Sequence, residues 1–250
     1  MAQGRRGRDA SERSRARRAQ EEARLATRHA FAGDLHSARR IVEQAQGIEH
    51  IVWLRAYVRC ATGDLAGALA LALPLARTAE DPLFRARAAV TAGSALRQLS
   101  RHAEAQDLER SALSLGTERA HLLIGLAADA VGLGDPGACA RRLHQARDAM
   151  PARDPRARIR LEWVRCEHAL MKADPAGGAA FARAALKRSR IAGYRRHVAK
   201  SWLFLGVALS EAGLRSGDDA LRNARDEATA IGAEPVAEVA RRLLGGPAGR

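Results

Sequence analysis

Small residues recur along the chain at a fixed spacing, and this repeat constrains the fold more than any other feature. Three sets of four positions are separated by 7, 5 and 7 residues. They are Ala26, Gly33, Ala38 and Ala45; Gly93, Ser100, Ala105 and Ala112; and Ala127, Gly134, Cys139 and Ala146. Small side chains at such offsets allow the two helices of a hairpin to approach closely. The spacing therefore predicts stacked helical hairpins.

Turn signals recur with the same period. Gly33-Asp34, Gly63-Asp64 and Gly134-Asp135 each end one periodic segment and begin another, since glycine closes a helix and aspartate caps the next. Ser100, Ala173 and Gly213 occupy the same place in other repeats. The six turns are then separated by 30, 37, 34, 39 and 40 residues. Acid-proline pairs mark further helix starts: Asp81-Pro82, Asp135-Pro136, Asp154-Pro155, Asp174-Pro175 and Glu234-Pro235.

These signals predict one all-α domain over residues 11–244, because no run of alternating β-branched residues indicates a sheet. Residues 1–10 are expected to form a disordered basic arm and 245–250 a disordered tail. Within the domain, the predicted hairpins are 11–46, 49–79, 82–115, 117–150, 154–192 and 194–231, followed by a capping helix near 235–244.

The chain resembles a bacterial tetratricopeptide-repeat protein. Trp202, Leu205-Gly206, Leu209 and Gly213 follow that family's pattern in register. In the fourth hairpin, the family's small, turn and closing-proline positions are matched by Ala127, Gly134, Cys139, Ala146 and Pro151. The resemblance implies a right-handed α-solenoid of about six stacked hairpins plus a C-terminal capping helix. It also implies binding of a protein or peptide.

Composition narrows the class of protein further. No apolar run approaches the roughly 20 residues that a membrane span needs. The three cysteines are far apart and odd in number, which predicts a cytoplasmic protein without disulfides. A G-x-G-x-x-G spacing at Gly132, Gly134 and Gly137 lacks the strand that a dinucleotide site requires. With no metal-binding or catalytic motif, the sequence predicts no cofactor, no metal and no enzymatic activity.

Positive charge is concentrated in two segments. The net charge is +14; residues 1–18 carry a surplus of five, and 175–210 contains seven basic residues and no acid. The predicted anion-binding patch is Arg183, Lys187, Arg188, Arg190, Arg195 and Arg196. A basic surface attracts nucleic-acid phosphate or an acidic membrane surface. The helical spacing of these residues equally indicates a solvated or partner-docking face.

In the resembled family, the first helix of each hairpin lines a concave surface. Mapped in register, this face predicts a peptide groove formed by Arg87, Val90, Ser94, Arg97, His121, Ile124, Arg160, Trp163, Glu167, Lys200 and Leu203. Trp163 and Arg160 are the expected anchors. The alternative for Trp163, as for Trp53 and Trp202, is packing in the core.

Three functions follow as hypotheses. The first is a non-enzymatic scaffold that binds a protein or peptide on its concave face, in a regulatory or assembly role. The second is a nucleic-acid-associated protein that uses the N-terminal arm and the 183–200 cluster. The third is an enzyme or small-molecule sensor with a pocket inside the superhelix. Oligomeric state stays open at this point.

Overall fold

A computed structural model of the chain describes residues 2–45 and 47–245. Over those residues it contains thirteen α-helices, one 3₁₀ turn at Leu113–Leu115 and no strand. The helices are α1 (Ala2–Ala32), α2 (Leu35–Gln44), α3 (Glu49–Thr62), α4 (Leu65–Thr78), α5 (Pro82–Gln98), α6 (His102–Ala112), α7 (Arg119–Gly132), α8 (Pro136–Asp148), α9 (Pro155–Met171), α10 (Pro175–Ile191), α11 (Arg195–Glu211), α12 (Ser216–Ala230) and α13 (Glu234–Gly245). None of these helices is long and apolar enough to cross a membrane.

The turn chemistry of the sequence sets the helix boundaries. All six predicted turn positions adopt the left-handed conformation, with φ between 54° at Ala173 and 97° at Gly63. Four aspartates cap the helices that follow them, with a proline in the first turn each time. They are Asp81, Asp135, Asp154 and Asp174. Contacts between the two helices of each pair confirm six helical hairpins, from α1–α2 to α11–α12.

The small residues lie where the sequence places them, between paired helices. Ala26, Ala38, Ala105, Ala127 and Cys139 are completely buried. In each hairpin the two helices are in direct contact, and successive hairpins also pack on one another. Close packing of backbones at these positions holds the repeat together.

The six odd-numbered helices from α1 to α11 form a closed inner ring. Each packs on the next odd-numbered helix, and α11 packs on α1. Helix α13 then covers the seam, because it contacts α11, α12 and also α3. The sequence predicts a capping helix here but does not predict that the cap joins the two ends of the chain.

The seam is tightly packed. Leu35 and Ala61 from the N-terminal side share one apolar cluster with Ile231, Val236 and Ala237 from the C-terminal side. Gly33 lies against α11, since a Cβ atom at this position would be 2.6 Å from the Arg195 Cβ. Burial of apolar surface across the seam favours the closed ring.

Two terminal boundaries differ from the sequence prediction. Helix α1 begins at Ala2, whereas residues 1–10 were expected to form a disordered arm. Helix α13 ends at Gly245, the first residue of the predicted tail, and 246–250 lie outside the described residues. Helix α4 continues through Pro74, where proline removes one backbone hydrogen-bond donor.

Candidate ligand cavity at the centre of the ring

A cavity of about 320 Å³ lies within the inner ring. Side chains from α3, α5, α7, α9 and α11 form its wall, together with His102 at the start of α6. Because the inner helices are all first helices of their hairpins, they present the same face to the centre. That face is the one from which the sequence predicts a peptide groove.

Nine of the eleven predicted groove residues line this cavity. They are Arg87, Val90, Ser94, Arg97, Ile124, Arg160, Trp163, Glu167 and Lys200. His121 is buried on α7 and contacts Arg160. Leu203 instead packs against the apolar cluster at the seam. The structure thus brings these nine residues together around one cavity.

The cavity wall is strongly cationic. Among the described residues it carries six cations and one carboxylate, that of Glu167. The cations are Arg87, Arg97, Arg156, Arg160, Arg196 and Lys200. They divide into two groups, according to whether a carboxylate neutralises them.

Arg87, Arg97 and Arg156 have carboxylate partners outside the wall. Arg87 Nε donates to the Glu118 carboxylate at 2.9 Å, and the Arg156 guanidinium lies 3.6 Å from the same carboxylate. Arg97 donates to Glu109 Oε1 and Oε2 and to Asp129 Oδ2, each at 3.0 Å. Removal of one member of such a pair would leave a charge without its partner, which is costly.

The Arg97 network places two buried carboxylates on one guanidinium. Burial raises the pKa of Glu109 to about 7 and that of Asp129 to about 6, although Arg97 opposes both shifts. Glu109 is completely buried, and its carboxylate lies against Gly93 and Gly125, where a Cβ atom would overlap it. The two glycines are therefore required for the carboxylate to reach Arg97.

Arg160 is held by a hydrogen-bonded chain that contains a neutral histidine. Arg160 Nη1 donates to His121 Nδ1 at 2.7 Å, and His121 Nε2 lies 2.9 Å from Asp154 Oδ2. Because a guanidinium can only donate, Nδ1 accepts and the proton lies on Nε2. Burial, then Arg156, lower the pKa of His121 to about 4. Arg160 is thus fixed in position while its charge is not neutralised.

Arg160, Arg196 and Lys200 have no carboxylate oxygen within 4 Å among the described residues. The Arg196 Nε atom is buried and has no hydrogen-bond partner in that part of the chain. Burial lowers the pKa of Arg160 to about 10, and Arg156 adds to the shift, so Arg160 keeps its charge at neutral pH. This side of the cavity therefore has unbalanced positive charge.

Aromatic rings complete the wall. The Lys200 Nζ atom lies 4.9 Å from the centre of the Trp163 ring, and the Arg87 guanidinium carbon lies 5.0 Å from that of Trp53. The indole N–H groups are already used, since Trp53 donates to Thr91 and Trp163 to Ser201. Both tryptophans are buried in the core, and both also line the cavity. Trp202, expected in the core, is half-buried beneath Arg190.

The predicted anion-binding patch does not form one surface. Arg196 lines the cavity, whereas Arg183 and Lys187 are exposed on α10, an outer helix. Arg188 lies 3.8 Å from a Glu162 oxygen, and Arg195 lies 3.5 Å from one of Glu227. The side chains of residues 1–10, the predicted basic arm, lie outside the described part of the structure.

Sequence reasoning missed the contributions of Arg156, Arg196 and Tyr57 to the wall, because these depend on ring closure. A signal for Glu109 existed, since it lies four residues after Ala105 and three before Ala112 on the helix-contact face. Among the described residues, no group of three or more His, Cys, Asp or Glu side chains is arranged to hold a metal ion.

No protein-family model matches the chain. A search of the curated proteins likewise gives no significant match.

Proposed function

We propose that this protein is a non-enzymatic receptor that binds a small anionic molecule in the central cavity. The observation that carries the proposal is the pair Arg160 and Arg196. Both guanidinium groups line the cavity, and neither has a carboxylate within 4 Å among the described residues.

Both guanidinium groups are half-buried, and a charge that is partly removed from water without a counter-charge is unfavourable. Removing a charged group from water costs several kcal/mol unless a counter-charge or hydrogen bonds compensate. Arginine is also well suited to carboxylate and phosphate groups, because its planar fork donates two parallel hydrogen bonds. An anion between Arg160 and Arg196 supplies the missing compensation.

The size and apolar part of the wall define the rest of the ligand. A volume of about 320 Å³ lies at the lower end of small-molecule pockets and is too small for an extended peptide. The Trp163 and Phe204 rings offer a flat apolar surface beside the cations. We therefore favour a small carboxylate or phosphate compound with an unsaturated or aromatic part.

We further infer that the repeats are of the tetratricopeptide type, stacked in a right-handed superhelix. The six left-handed turns and the buried small residues support this assignment. In that interpretation the concave face keeps its binding role, with a small ligand in place of the expected peptide. The three buried, unpaired cysteines support a reducing, cytoplasmic location.

Calorimetric titration tests the proposal. The purified protein is titrated with inorganic phosphate, benzoate, citrate and a short acidic peptide. We expect saturable binding of at least one small anion and weaker binding as salt rises. Arg160→Gln and Arg196→Gln should each reduce the affinity at least tenfold, since a charge-assisted hydrogen bond contributes about 1.5–3 kcal/mol.

The matched control is Arg183→Gln, which removes an exposed arginine from outer helix α10. It should leave the affinity unchanged. Equal losses in all three variants would indicate a general charge effect and contradict a specific site. Tight binding of the peptide, with none of the small anions bound, would favour the peptide scaffold instead.

A further inference from the structure

Lys200 is the one lysine on the cavity wall, and the chain has only two others, Lys172 and Lys187, both exposed. Its Nζ atom lies 4.9 Å from the centre of the Trp163 ring and 5.6 Å from that of Phe204. No carboxylate oxygen lies within 4 Å of it among the described residues. The amine is thus in an apolar, cationic setting without an ion-pair partner.

The charged groups around Lys200 come from three helices. Arg196 lies on α11, Arg160 and Glu167 on α9, and Arg97 on α5. Burial, then Arg196, lower the pKa of Lys200, and Glu167 opposes the shift. Guanidinium groups do not lose their proton in proteins, so Lys200 is the cation that can relieve the crowding of positive charge.

A neutral amine is a nucleophile toward carbonyl carbon. Lysines placed in an apolar pocket beside another cation are activated in this way. The same cavity has free guanidinium groups that can hold a carboxylate or phosphate. Together these features place an amine next to an anion-binding position in one small volume.

We propose that Lys200 binds its ligand covalently, as an imine with an aldehyde or ketone that also carries a carboxylate or phosphate. This inference rests on the proposed anion receptor and names the ligand's second functional group. The anion pairs with Arg160 and Arg196, and the carbonyl group points to Lys200.

The reaction balances without a redox partner. The Lys200 nitrogen lone pair forms a C–N bond, and the carbonyl π electrons move to oxygen. A proton passes from nitrogen to that oxygen and gives a hydroxyl group. An acid donates a second proton, so that the hydroxyl group leaves as water while the nitrogen lone pair forms the C=N bond, and the remaining nitrogen proton then returns to the acid. Glu167 is the acid available in the cavity, because burial raises the pKa of its carboxyl group and favours the protonated form that can assist loss of water. The reverse reaction releases the ligand.

Reductive trapping tests the inference. The full chain is incubated with 4-formylbenzoate and cyanoborohydride, and the modified lysines are identified by peptide mass spectrometry. The matched reagent is 4-(hydroxymethyl)benzaldehyde, which lacks the carboxylate. We expect Lys200 to be modified at least tenfold faster than Lys172 or Lys187, and only by the anionic aldehyde.

Three controls sharpen the result. Lys200→Arg keeps the positive charge and should abolish cavity labelling while still binding benzoate, and circular dichroism verifies that it folds. Arg160→Gln should slow labelling of Lys200 but not of Lys187. Excess benzoate should compete with the labelling reagent.

The outcomes separate the two proposals. Equal labelling of all three lysines, or labelling that ignores the carboxylate, overturns the imine site. Saturable binding of 4-formylbenzoate without any adduct at Lys200 also overturns it and leaves the anion receptor intact. Absence of both saturable anion binding and labelling removes both proposals.

Discussion

At the scale of single residues, the Glu109 carboxylate shows how strongly one buried charge constrains its neighbours. It requires Gly93 and Gly125 on either side and shares Arg97 with Asp129. One guanidinium cannot fully offset two buried carboxylates, so burial raises the pKa of both. This site therefore couples protonation to folding.

Glu109→Gln is predicted to flatten the dependence of stability on pH. The pKa of Glu109 is about 7 in the folded chain and about 4.5 in the unfolded chain. Between these values the native state holds a proton that the unfolded chain has lost, so the free energy of unfolding falls as pH rises. Between these two pKa values, the free energy of unfolding of the wild-type chain should fall by on the order of 3 kcal/mol more than that of the variant.

Urea unfolding followed by circular dichroism at several pH values measures the effect. The buried His121 acts in the opposite direction, because burial lowers its pKa to about 4, whereas Asp129 acts in the same direction, because burial raises its pKa to about 6. The difference between wild type and variant is therefore the quantity to compare. The exposed Glu211→Gln serves as control and should follow the wild-type profile. Parallel profiles for wild type and Glu109→Gln would contradict the prediction.

At the scale of helices and turns, local chemistry sets the boundaries even where the residue type is unfavourable. Ser100 and Ala173 adopt φ of 59° and 54°, which glycine adopts without strain and other residues rarely do. The repeat spacing requires a turn there, and the packing of the flanking helices compensates for the strain. The sequence therefore predicts these two turns only through the period of the repeat and not through their own propensity.

Ala173→Gly is predicted to stabilise the protein by about 0.5–1 kcal/mol, because the left-handed turn is relaxed. The same substitution at Ala180, exposed within α10, should destabilise by a similar amount through loss of helix propensity. Thermal unfolding measures both, with expected shifts of opposite sign and about 1–4 °C. A lower melting temperature for Ala173→Gly would show that the turn carries no strain.

At the scale of the whole molecule, closure of the ring converts a concave face into a cavity. The small residues predict each hairpin, and the resemblance of the repeats predicts which helix faces inward. Closure depends on small rotations summed over six hairpins, so local spacing does not determine it. Ring closure is seen directly in long-range contacts, such as Gly33 against Arg195 and Phe31 against Tyr194. These contacts exist only in the folded chain.

These seam contacts also explain the incomplete prediction of the site. The register of the resembled family predicts five of the wall residues on α5 and α7, which are Arg87, Val90, Ser94, Arg97 and Ile124. Arg196 belongs to the basic stretch whose spacing equally indicated an outer, solvated face, and it reaches the cavity because α11 packs between α9 and α1. Two cation–π contacts also connect the N-terminal and C-terminal halves of the chain. The Arg156 guanidinium lies 5.2 Å from the centre of the Phe31 ring, and the Arg196 guanidinium lies 5.9 Å from the centre of the Tyr57 ring.

Gly33→Ala is predicted to open the seam. The added methyl group would be 2.6 Å from the Arg195 Cβ and would force α1 and α11 apart. Gly213→Ala is the matched control, because Gly213 also has a positive φ of 71° but its Cβ atom would contact nothing within 4 Å. In both variants an alanine must adopt a positive φ, which strains the backbone equally. The free energy of unfolding of Gly33→Ala should therefore be about 1–3 kcal/mol lower than that of Gly213→Ala, because only Gly33→Ala is also overpacked.

Small-angle X-ray scattering and calorimetry together test the consequence for function. Gly33→Ala should show a larger radius of gyration than Gly213→Ala, and its affinity for the small anion should fall. The physical reason is that an open seam admits water to Arg196 and weakens its attraction for the ligand, since the local dielectric constant rises. If both variants scatter alike and bind alike, the cavity does not depend on closure, and ligand binding must be explained by the α5–α9 wall alone.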